Sequence, residues 1–432
     1  MSKLHLVEVG TPGASRLDLP EHVQLSLREI AGAAKEGLLA LAVGTGLAVL
    51  HETMGYEVER VVGPKGRHDA QRAAKRHGHT PGEVTLGGRR VPISRPRARS
   101  ADDRVEIELE SYQTFASRDL LAGVVLGRML AGVSTRRSRG VGEPIGSAVE
   151  AKARSVSKSA VSRTFVGGTR AALDQLLSRD LSELQLAVVM VDGIELAGAT
   201  HVVALGISAD GTKVPLSLRE GSTENATVAT GLLSDLTDRG LRLHEEQLSV
   251  LDGAKALRKA VRDVAGVRAP VQRCQRHKER NVVDHLPERA WLRAKLRKAW
   301  ADPDHATALS SLRALAGQLA KVHPDAAGSL PEGPEETLTL ARLGVSGALK
   351  RTLCSTNPIE SMISTVRRTQ RNVKRWRDGD MRLRSTAARM TEAQRSFRRV
   401  KGHHDLPKLT AAIRRKLHPS TPTEEAATLT AA

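Results

Sequence analysis

Three short apolar runs, spaced closely enough to form a meander of strands, restrict most strongly what this chain can fold into. They cover residues 186–192, 201–208 and 213–218, and the turn signal Ala209-Asp-Gly-Thr212 separates the last two. Runs of this length that are rich in β-branched residues and bounded by Gly and Asp are typical of β-strands. The sequence therefore predicts three consecutive strands in this region.

Helix and strand patterns alternate after the meander. Helices are predicted at 226–239 and 254–264, and apolar strand-like runs occur at 247–252 and 269–274. The resulting order is β-β-β-α-β-α-β, with acids at the ends of buried strands. This order is the pattern of an RNase H-like core, so we expect an α/β fold with a mixed sheet and flanking helices.

Two carboxylates stand where apolar runs end. Asp192 and Asp252 each close such a run, and each is followed by Gly. A charge at the end of a buried strand is costly unless it has a partner or a metal ion. Carboxylates from distant chain positions can also hold two divalent cations about 4 Å apart for phosphodiester chemistry, and Mg²⁺ prefers such oxygen ligands. The alternative is that both acids merely begin Asp-Gly turns, and the pattern alone leaves the two interpretations open.

A third acid, Glu360, lies in the segment Ser355-Thr-Asn-Pro-Ile-Glu-Ser361. Asn357 as N-cap, Pro358 in the first helical position and Glu360 three residues after the cap would form a capping box. The same carboxylate in a first helical turn could face a metal ion. Arg367 follows almost two turns later on the same helix face, where it could hold a DNA phosphate.

The charge of the chain indicates a polyanionic partner. Lys and Arg number 67 against 48 Asp and Glu, which gives a net charge of +19 and a pI of about 10.4. Residues 367–401 contain 13 basic and 3 acidic residues, so +10 of that excess is concentrated there. Aromatic residues make up only 2% of the chain, which argues against recognition of single strands by rows of stacked rings.

Compartment and membrane association follow from cysteine content and apolar run length. The two cysteines, Cys274 and Cys354, are too few for a secreted disulfide framework, and a reducing compartment fits better. We see no signal peptide, and the longest uncharged apolar run, residues 37–50, is shorter than the roughly 18 residues that span a bilayer. We expect this run to be a buried helix and the protein to be cytoplasmic and nucleoid-associated, without a membrane partner.

The N-terminal half has two features suited to DNA. Residues 84–93 predict a hairpin with a Gly-Gly turn and with Arg89 and Arg90 near its tip; a DNA-facing and a purely solvated hairpin are equally compatible with this pattern. The segment Ser155-Val-Ser-Lys-Ser-Ala-Val-Ser-Arg163 resembles the turn and recognition helix of a helix-turn-helix, and the alternative is an ordinary surface helix with a Ser cap. The candidate DNA contacts in it are Lys158, Ser159 and Arg163.

Four linked motifs carry a family resemblance. They are Val191-Asp-Gly193, Leu251-Asp-Gly-Ala-Lys-Ala256, Arg273-Cys-Gln-Arg-His-Lys-Glu-Arg-Asn281 and Ser355-Thr-Asn-Pro-Ile-Glu-Ser361. In this order they closely resemble the mutator-type family of bacterial insertion-sequence transposases, and the resemblance covers nearly the whole chain. One departure is that residues 190–196 lack the aromatic-rich strand that commonly precedes the first acid in the family.

The resemblance implies a DDE catalytic triad of Asp192, Asp252 and Glu360. It implies an RNase H-like core interrupted by an all-helical insertion and preceded by mainly helical DNA-binding modules. Such enzymes are expected to bind terminal inverted repeats, to hydrolyse the phosphodiester at the element end with two Mg²⁺ or Mn²⁺ ions held by these acids, and to join the freed 3′-hydroxyl to target DNA. Double-stranded DNA and a homodimer are the expected partners.

Further residues are implied by the family motifs. Cys274 and His277 are expected near the active site, positioning DNA, and a zinc site is not expected because further ligands are scarce. Trp376 could stack on a flipped end base, or it could equally be partly buried core. The candidate DNA contacts in this half are Arg276, His277, Arg367, Arg368, Arg371, Lys374, Arg375 and Trp376.

These observations predict six segments. They are 1–110 (N-terminal helical and basic hairpin module), 111–184 (helical, helix-turn-helix-like), 185–277 (first part of the core), 278–349 (helical insertion), 350–402 (last part of the core with a basic helix) and 403–432 (C-terminal tail). A transposase-derived regulator that binds DNA without cutting it is the alternative function. A Mg²⁺-dependent nuclease or junction resolvase would use the same core without the helix-turn-helix.

Overall fold

The computed structural model describes residues 37–67, 72–134, 143–196, 198–221, 225–284, 286, 290–371, 373 and 375–418. The chain divides into two compact units. One consists of residues up to 129 and 133–165, and the other of residues 130–132 and 166 onwards. Residues 419–432 of the predicted C-terminal tail and the part of the N-terminal module before residue 37 lie outside the described residues.

The first unit is built around a long hairpin. Its elements are α1 (Leu38–Val62), β1 (Ala74–Leu86), β2 (Arg89–Ser100), β3 (Glu106–Ile107), α2 (Glu110–Ser117), α3 (Ala122–Leu130), α4 (Ser147–Glu150), β4 (Arg154–Ser155) and the beginning of α5 (Lys158–Ser178). The hairpin predicted at 84–93 is confirmed, and its strands are much longer than predicted. Gly87 and Gly88 both have positive φ, which the two-residue turn requires, and the Asp119 carboxylate accepts both of their N–H groups.

Arg89 departs from its predicted place at the hairpin tip. The residue is 8% exposed and its guanidinium donates to Glu150, whereas Arg90 is exposed and pairs with Glu83. Both arginines therefore have an acidic partner, and only Arg90 is exposed at the tip.

Helix α1 is longer than the apolar run that predicted it. Leu39, Val43 and Met54 lie in the core of the first unit, while Val49 and Tyr56 are more than half exposed, so only one face is buried. Among the described helices, α1 has the length and apolar composition that crossing a membrane requires, with 28% of the apolar stretch buried. A core helix can meet the same criteria, so this helix is weak support for a membrane role.

The second unit contains a five-stranded sheet and most of the helices. Its strands are β5 (Leu186–Leu196), β6 (Ala199–Ser208), β7 (Lys213–Gly221), β8 (Leu248–Leu251) and β9 (Val271–Arg273). Its helices are α6 (Ala226–Asp238), α7 (Lys255–Ala265), α8 (Gln275–Val283), α9 (Ala290–Ala301), α10 (His305–Val322), α11 (Pro324–Ser329), α12 (Thr339–Arg342), α13 (Gly347–Leu353), α14 (Asn357–Gln370), α15 (Gly379–Gln394) and α16 (Leu406–Leu417), with 3₁₀ turns at Glu335–Leu338 and His403–Asp405.

The sheet confirms the predicted β-β-β-α-β-α-β order. Strands run β7-β6-β5-β8-β9 across the sheet; the first three form an antiparallel meander, and β5, β8 and β9 are parallel. Helices α6 and α7 make the crossovers that parallel neighbours require. Mixed sheet and helices together make this an α/β fold.

Each face of the sheet is covered by its own helices. Alternate residues of β5 divide between two cores: Val188 and Met190 pack with α13 to α16, while Val189 and Val191 pack with α6 and α7. Helices α9, α10 and α11 form a third, separate core with the end of α8. The face that carries Met190 also carries the candidate site.

Two segments differ from their sequence interpretation. The basic segment 367–401 is not one helix, because α14 ends at Gln370 and α15 begins after Asp378, whose side chain caps it by accepting from Met381 N at 2.7 Å. Residues 403–418, assigned by sequence to the tail, include α16, which buries Leu406 and Ile413.

Helix α5 begins where the recognition helix was predicted. Val161 is buried, and Ser157 Oγ accepts from Ala160 N at 3.1 Å at the helix start. The segment immediately before it contains a four-residue helix, α4, and a two-residue strand, β4. A helix is therefore present at the predicted position, and its role in DNA recognition stays a prediction.

Candidate active site

Strand register places the first two acids side by side. In the parallel pair β5–β8, Val191 lies opposite Leu251, so Asp192 and Asp252 are the residues that directly follow this pair. Neighbouring strands are about 5 Å apart, which brings the two backbones within that distance. Asp192 shares the sheet face of Met190, the face covered by α14.

The prediction that the strand ends at Asp192 is wrong. Strand β5 continues to Leu196 because it stays paired with β6 up to Ala199. The Asp-Gly turn is therefore excluded for Asp192. Asp252 does follow the end of β8, and its carboxylate accepts from Ala254 N at 2.8 Å, so a turn of this kind does form there.

Helix α14 brings Glu360 to the same face. Ile359 and Met362 on either side of it are buried in the core that covers Met190. The Glu360 carboxylate lies 3.7 Å from His277 Nε2 and 3.3 Å from the Thr356 hydroxyl. The three acids are thus positioned by two neighbouring strands and one helix start.

Cys274 and His277 complete the same edge of the sheet. Cys274 follows Arg273, the last residue of β9, and its N–H donates to Leu251 O at 2.7 Å, so it lies beside Asp252. His277 is in the first turn of α8 and faces Glu360. The predicted place of this pair near the three acids agrees with these contacts.

Thr356 was missed by sequence reasoning and is the contact centre of the site. It is fully buried, and its hydroxyl lies 3.6 Å from Cys274 Sγ, 3.4 Å from His277 Nδ1 and 3.3 Å from Glu360 Oε1. The expected capping box is also one residue out of place. Thr356 is the N-cap of α14 and Asn357 its first residue, and no side chain caps the helix. The only sequence signal was a hydroxyl residue two positions before Pro358.

Burial and charge make Asp192 the most perturbed of the acids. It is 4% exposed, and none of the described residues donates a hydrogen bond to its carboxylate. Burial first, then the neighbouring carboxylates Asp252 and Glu360, raise its pKa from 3.8 to about 8, against an opposing effect of His277. A cluster of carboxylates with a pKa shifted in this way is typical of functional sites.

The Cys274–His277 pair is polarised. A hydrogen bond and the charge of Cys274, followed by Asp192 and Asp252, raise the pKa of His277 to about 9 despite its burial. Burial acts to raise the pKa of the Cys274 thiol, but hydrogen bonds from His277 and Thr356 hold it below its usual value. The pair therefore places an imidazolium beside the acids.

The side chains of the three acids would have to move before they could hold one metal ion together. Within the described part of the chain, no three His, Cys, Asp or Glu side chains are gathered closely enough to hold one ion. The residue types nevertheless suit a hard divalent cation, because carboxylate oxygens are ligands that such cations prefer. Asp192 is buried and accepts no hydrogen bond from the described residues, and burial and the two neighbouring carboxylates raise its pKa.

The candidate DNA contacts around the site are mostly exposed. Arg276 is exposed and donates to Asn357 Oδ1 at 2.8 Å, and Arg367 donates to Glu195 O at 3.3 Å. Arg368, Arg371 and Arg375 are exposed as well, and Lys374 lies outside the described residues.

Trp376 and the helix-turn-helix residues occupy other places. Trp376 is half-buried in the irregular stretch between α14 and α15, so it is not part of a helix. Lys158, Ser159 and Arg163 are exposed at the start of α5.

Comparison with known proteins identifies the family. The family model described as "Transposase, Mutator family" matches residues 21–399. The chain belongs to the mutator family of transposases. The resemblance found in the sequence motifs is thereby confirmed, and the matched region includes all three acids, the Cys274–His277 pair and Thr356.

Curated mutator-family relatives are insertion-sequence transposases. The transposase for ISRM5 of Rhizobium meliloti is 26% identical over 353 residues, which cover 81% of this chain and 86% of that protein. The transposase for IS6120 of Mycolicibacterium smegmatis is 30% identical over 198 residues, covering 44% of this chain and 60% of that protein. The transposase for IST2 of Acidithiobacillus ferrooxidans is 30% identical over 168 residues, covering 38% and 55%.

Proposed function

We propose that this member of the mutator family is an active DNA transposase, which binds the terminal inverted repeats of its element and cuts and joins DNA through Asp192, Asp252 and Glu360. The observation that carries the proposal is the convergence of these three carboxylates on one sheet edge, where burial and mutual repulsion raise the pKa of Asp192 to about 8. Such a cluster opposes folding on its own, so its presence is best explained by function.

An RNase H-like core is the fold we infer for the second unit. The antiparallel meander followed by two parallel strands, in the order β7-β6-β5-β8-β9, supports this inference. The helices between Asp252 and Glu360 that form their own core, α9 to α11, support a helical insertion. The inserted helices separate the second and third acids by 108 residues in sequence while leaving them close in space.

The cofactor we infer is a pair of Mg²⁺ or Mn²⁺ ions held by the three acids. Bound ions of this kind would supply Lewis-acid activation of the attacking and leaving oxygens. The side chains of Asp252 and Glu360 are half-buried and stand at a loop and a helix start, where they can rotate, while Asp192 is fixed in a strand.

The protein's own residues orient the reacting DNA. In the first step a water oxygen attacks the phosphorus at the element end and the bond to the 3′-oxygen breaks; that oxygen takes up a proton, which leaves a 3′-hydroxyl and a 5′-phosphate. In the second step the 3′-hydroxyl loses its proton and attacks a target phosphorus, and the bond from that phosphorus to the target strand's own 3′-oxygen breaks, which leaves a 3′-hydroxyl on the target. The Thr356 hydroxyl and the His277 imidazole contact the Glu360 carboxylate and limit the directions in which it can turn. The exposed guanidinium groups of Arg276 and Arg367 are suited to bind phosphates of the strand at the site.

DNA cleavage by purified protein tests the proposal. A labelled duplex that carries the element's own ends is incubated with Mg²⁺ and with EDTA, using wild type, Asp192→Asn and the control Asp238→Asn, an exposed acid in α6. We expect metal-dependent nicking and joining by wild type and control, and none by Asp192→Asn.

Other outcomes select other functions. Salt-sensitive binding without cleavage in Mg²⁺ or Mn²⁺ would contradict the enzyme and favour a DNA-binding regulator. Nicking of branched DNA without joining would favour a nuclease or resolvase.

A homodimer on double-stranded DNA, in the cytoplasm and at the nucleoid, is the assembly we propose, because two element ends are processed together.

A further inference from the structure

A cavity of about 780 Å³ lies on the side of the second unit away from the acids. It is lined by residues of α7, the loop before β9, α10, the segment 331–336 and α12, and Pro270 and Val271 are among them. Those two residues lie at the amino end of β9, whereas Cys274 and the acids lie at the carboxyl end of the parallel strands. None of the three acids lines the cavity, so it is separate from the candidate active site. We call it the arginine cleft.

Five arginines and two glutamates line the arginine cleft. The arginines are Arg258, Arg262, Arg268, Arg313 and Arg342, and the glutamates are Glu335 and Glu336. Three arginines have acidic partners: Arg258 with Glu336 at 2.5 Å, Arg313 with Glu335 at 3.3 Å and Arg268 with Glu245 at 2.7 Å.

The other two arginines of the cleft, Arg262 and Arg342, have no ion pair with a described residue. Both act electrostatically on Glu336, so their charges converge on the same part of the cleft. The charge of Arg342 also acts on Lys416, which does not line the cleft: burial first, and then Arg342, lower the pKa of this lysine. The cleft therefore holds a concentrated positive charge that its own acids do not balance.

The ligand chemistry follows from this charge and from the size of the cleft. Guanidinium groups bind phosphate oxygens through paired hydrogen bonds, and unlike lysine they offer a planar fork. A volume of about 780 Å³ is within the range of pockets that enclose a small ligand such as a nucleotide.

We propose that the arginine cleft is a phosphate-binding site, with Arg262 and Arg342 as its binding cations. Two sources supply this chemistry: the backbone of a DNA segment that passes over the second unit, or the phosphates of a free nucleotide. Only the first source rests on the proposed DNA function, and neither requires cleavage.

Binding measured in EDTA tests the proposal without involving the acids. The variant is Arg262→Gln with Arg342→Gln. The matched control is Lys321→Gln with Arg415→Gln, which removes the same charge from two exposed residues outside the cleft. The probes are a fluorescent duplex, followed by anisotropy between about 50 and 200 mM salt, and ATP and inorganic pyrophosphate, followed by calorimetry.

The outcomes distinguish the two sources. If the cleft holds DNA, loss of two phosphate contacts makes the negative slope of log K against log salt shallower by about 1.8, beyond the change seen in the control. It also weakens binding at about 0.1 M salt by roughly tenfold or more. If it holds a nucleotide, pyrophosphate and ATP binding is lost and duplex binding changes no more than in the control.

Two results would overturn the proposal. One is equal binding of all probes by variant and control; the other is absence of binding of every probe by wild type. Circular dichroism and thermal melting check that the variants fold, and the single variant Arg342→Gln, an exposed side chain in α12, repeats the test with less perturbation. Duplex binding that depends on the cleft, together with no cleavage, would leave this inference standing and contradict the proposed catalysis.

Discussion

Lys278 is a buried cation whose charge opposes folding, and its replacement should flatten the dependence of stability on pH. The side chain is fully buried, and its ammonium donates to the backbone carbonyls of Ser329 and of Glu332, the latter at 2.7 Å. Burial first, and then the adjacent Arg273, lower its pKa from 10.5 to about 8, while Glu332 and Glu336 oppose this. The folded protein therefore releases this proton at a lower pH than the unfolded chain does.

The sign and size of the effect follow from that difference. Between about pH 8 and 10.5 the unfolded state binds more protons, so the free energy of unfolding rises with pH in this window. A difference of one unit in pKa corresponds to about 1.4 kcal/mol, which gives roughly 3.4 kcal/mol for the full difference. Glu332 is about half exposed, and water on that side of the loop screens the charge, so we expect about 2 kcal/mol.

Urea unfolding of wild type and Lys278→Met across this pH range measures the effect. Methionine keeps the length of the side chain and cannot titrate, so the stability of wild type relative to the variant should rise by about 2 kcal/mol from about pH 8 to 10.5. Lys321→Met, an exposed lysine in α10, is the control and should follow wild type. A constant difference between wild type and Lys278→Met at every pH would refute the reasoning.

Three further changes test other parts of the structure. Gly402→Ala should lower the free energy of unfolding by about 2 kcal/mol or more in chemical denaturation, because Gly402 has φ +81° and an added Cβ would lie 2.4 Å from Leu349 N; equal stability would show that α13 can shift away. Thr356→Val should reduce strand cleavage more than Thr356→Ser while both variants stay folded, because serine keeps the hydroxyl that contacts Glu360 and His277 and valine does not. Equal activity of the two variants would show that this hydroxyl has no role in cleavage. Glu220→Gln should cost about 1 to 3 kcal/mol in thermal or urea unfolding near neutral pH, because Arg382 loses the carboxylate it donates to. The hydrogen bond and charge of Arg382 lower the pKa of Glu220, so this contribution is lost as pH falls through the folded-state pKa, and a pH-independent difference would contradict it.

Local patterns predicted the central sheet well because β5, β6 and β8 each contain a largely apolar run. The meander and the alternation after it are present, and Asp192 and Asp252 directly follow the paired residues Val191 and Leu251 of two such runs. Thr356 could not be predicted in the same way, because its contacts join residues about 80 positions apart. The arginine cleft is a similar case, since its lining comes from four separate segments and no single stretch of sequence shows it.

Asp192 stands inside a strand, whereas the other two acids of the candidate site do not. Beyond Val191, β5 keeps its antiparallel partner β6 but loses its parallel partner, because β8 ends at Leu251. One edge of β5 is thereby freed at Asp192, and the first turn of α14 brings Glu360 to this region from the core side of the sheet. The ladder with β6 holds the Asp192 backbone on one side, whereas Asp252 stands in a turn and Glu360 in the first turn of a helix. If the proposed divalent ions bind here, we expect the Asp192 backbone to stay in place and the side chains of Asp252 and Glu360 to adjust.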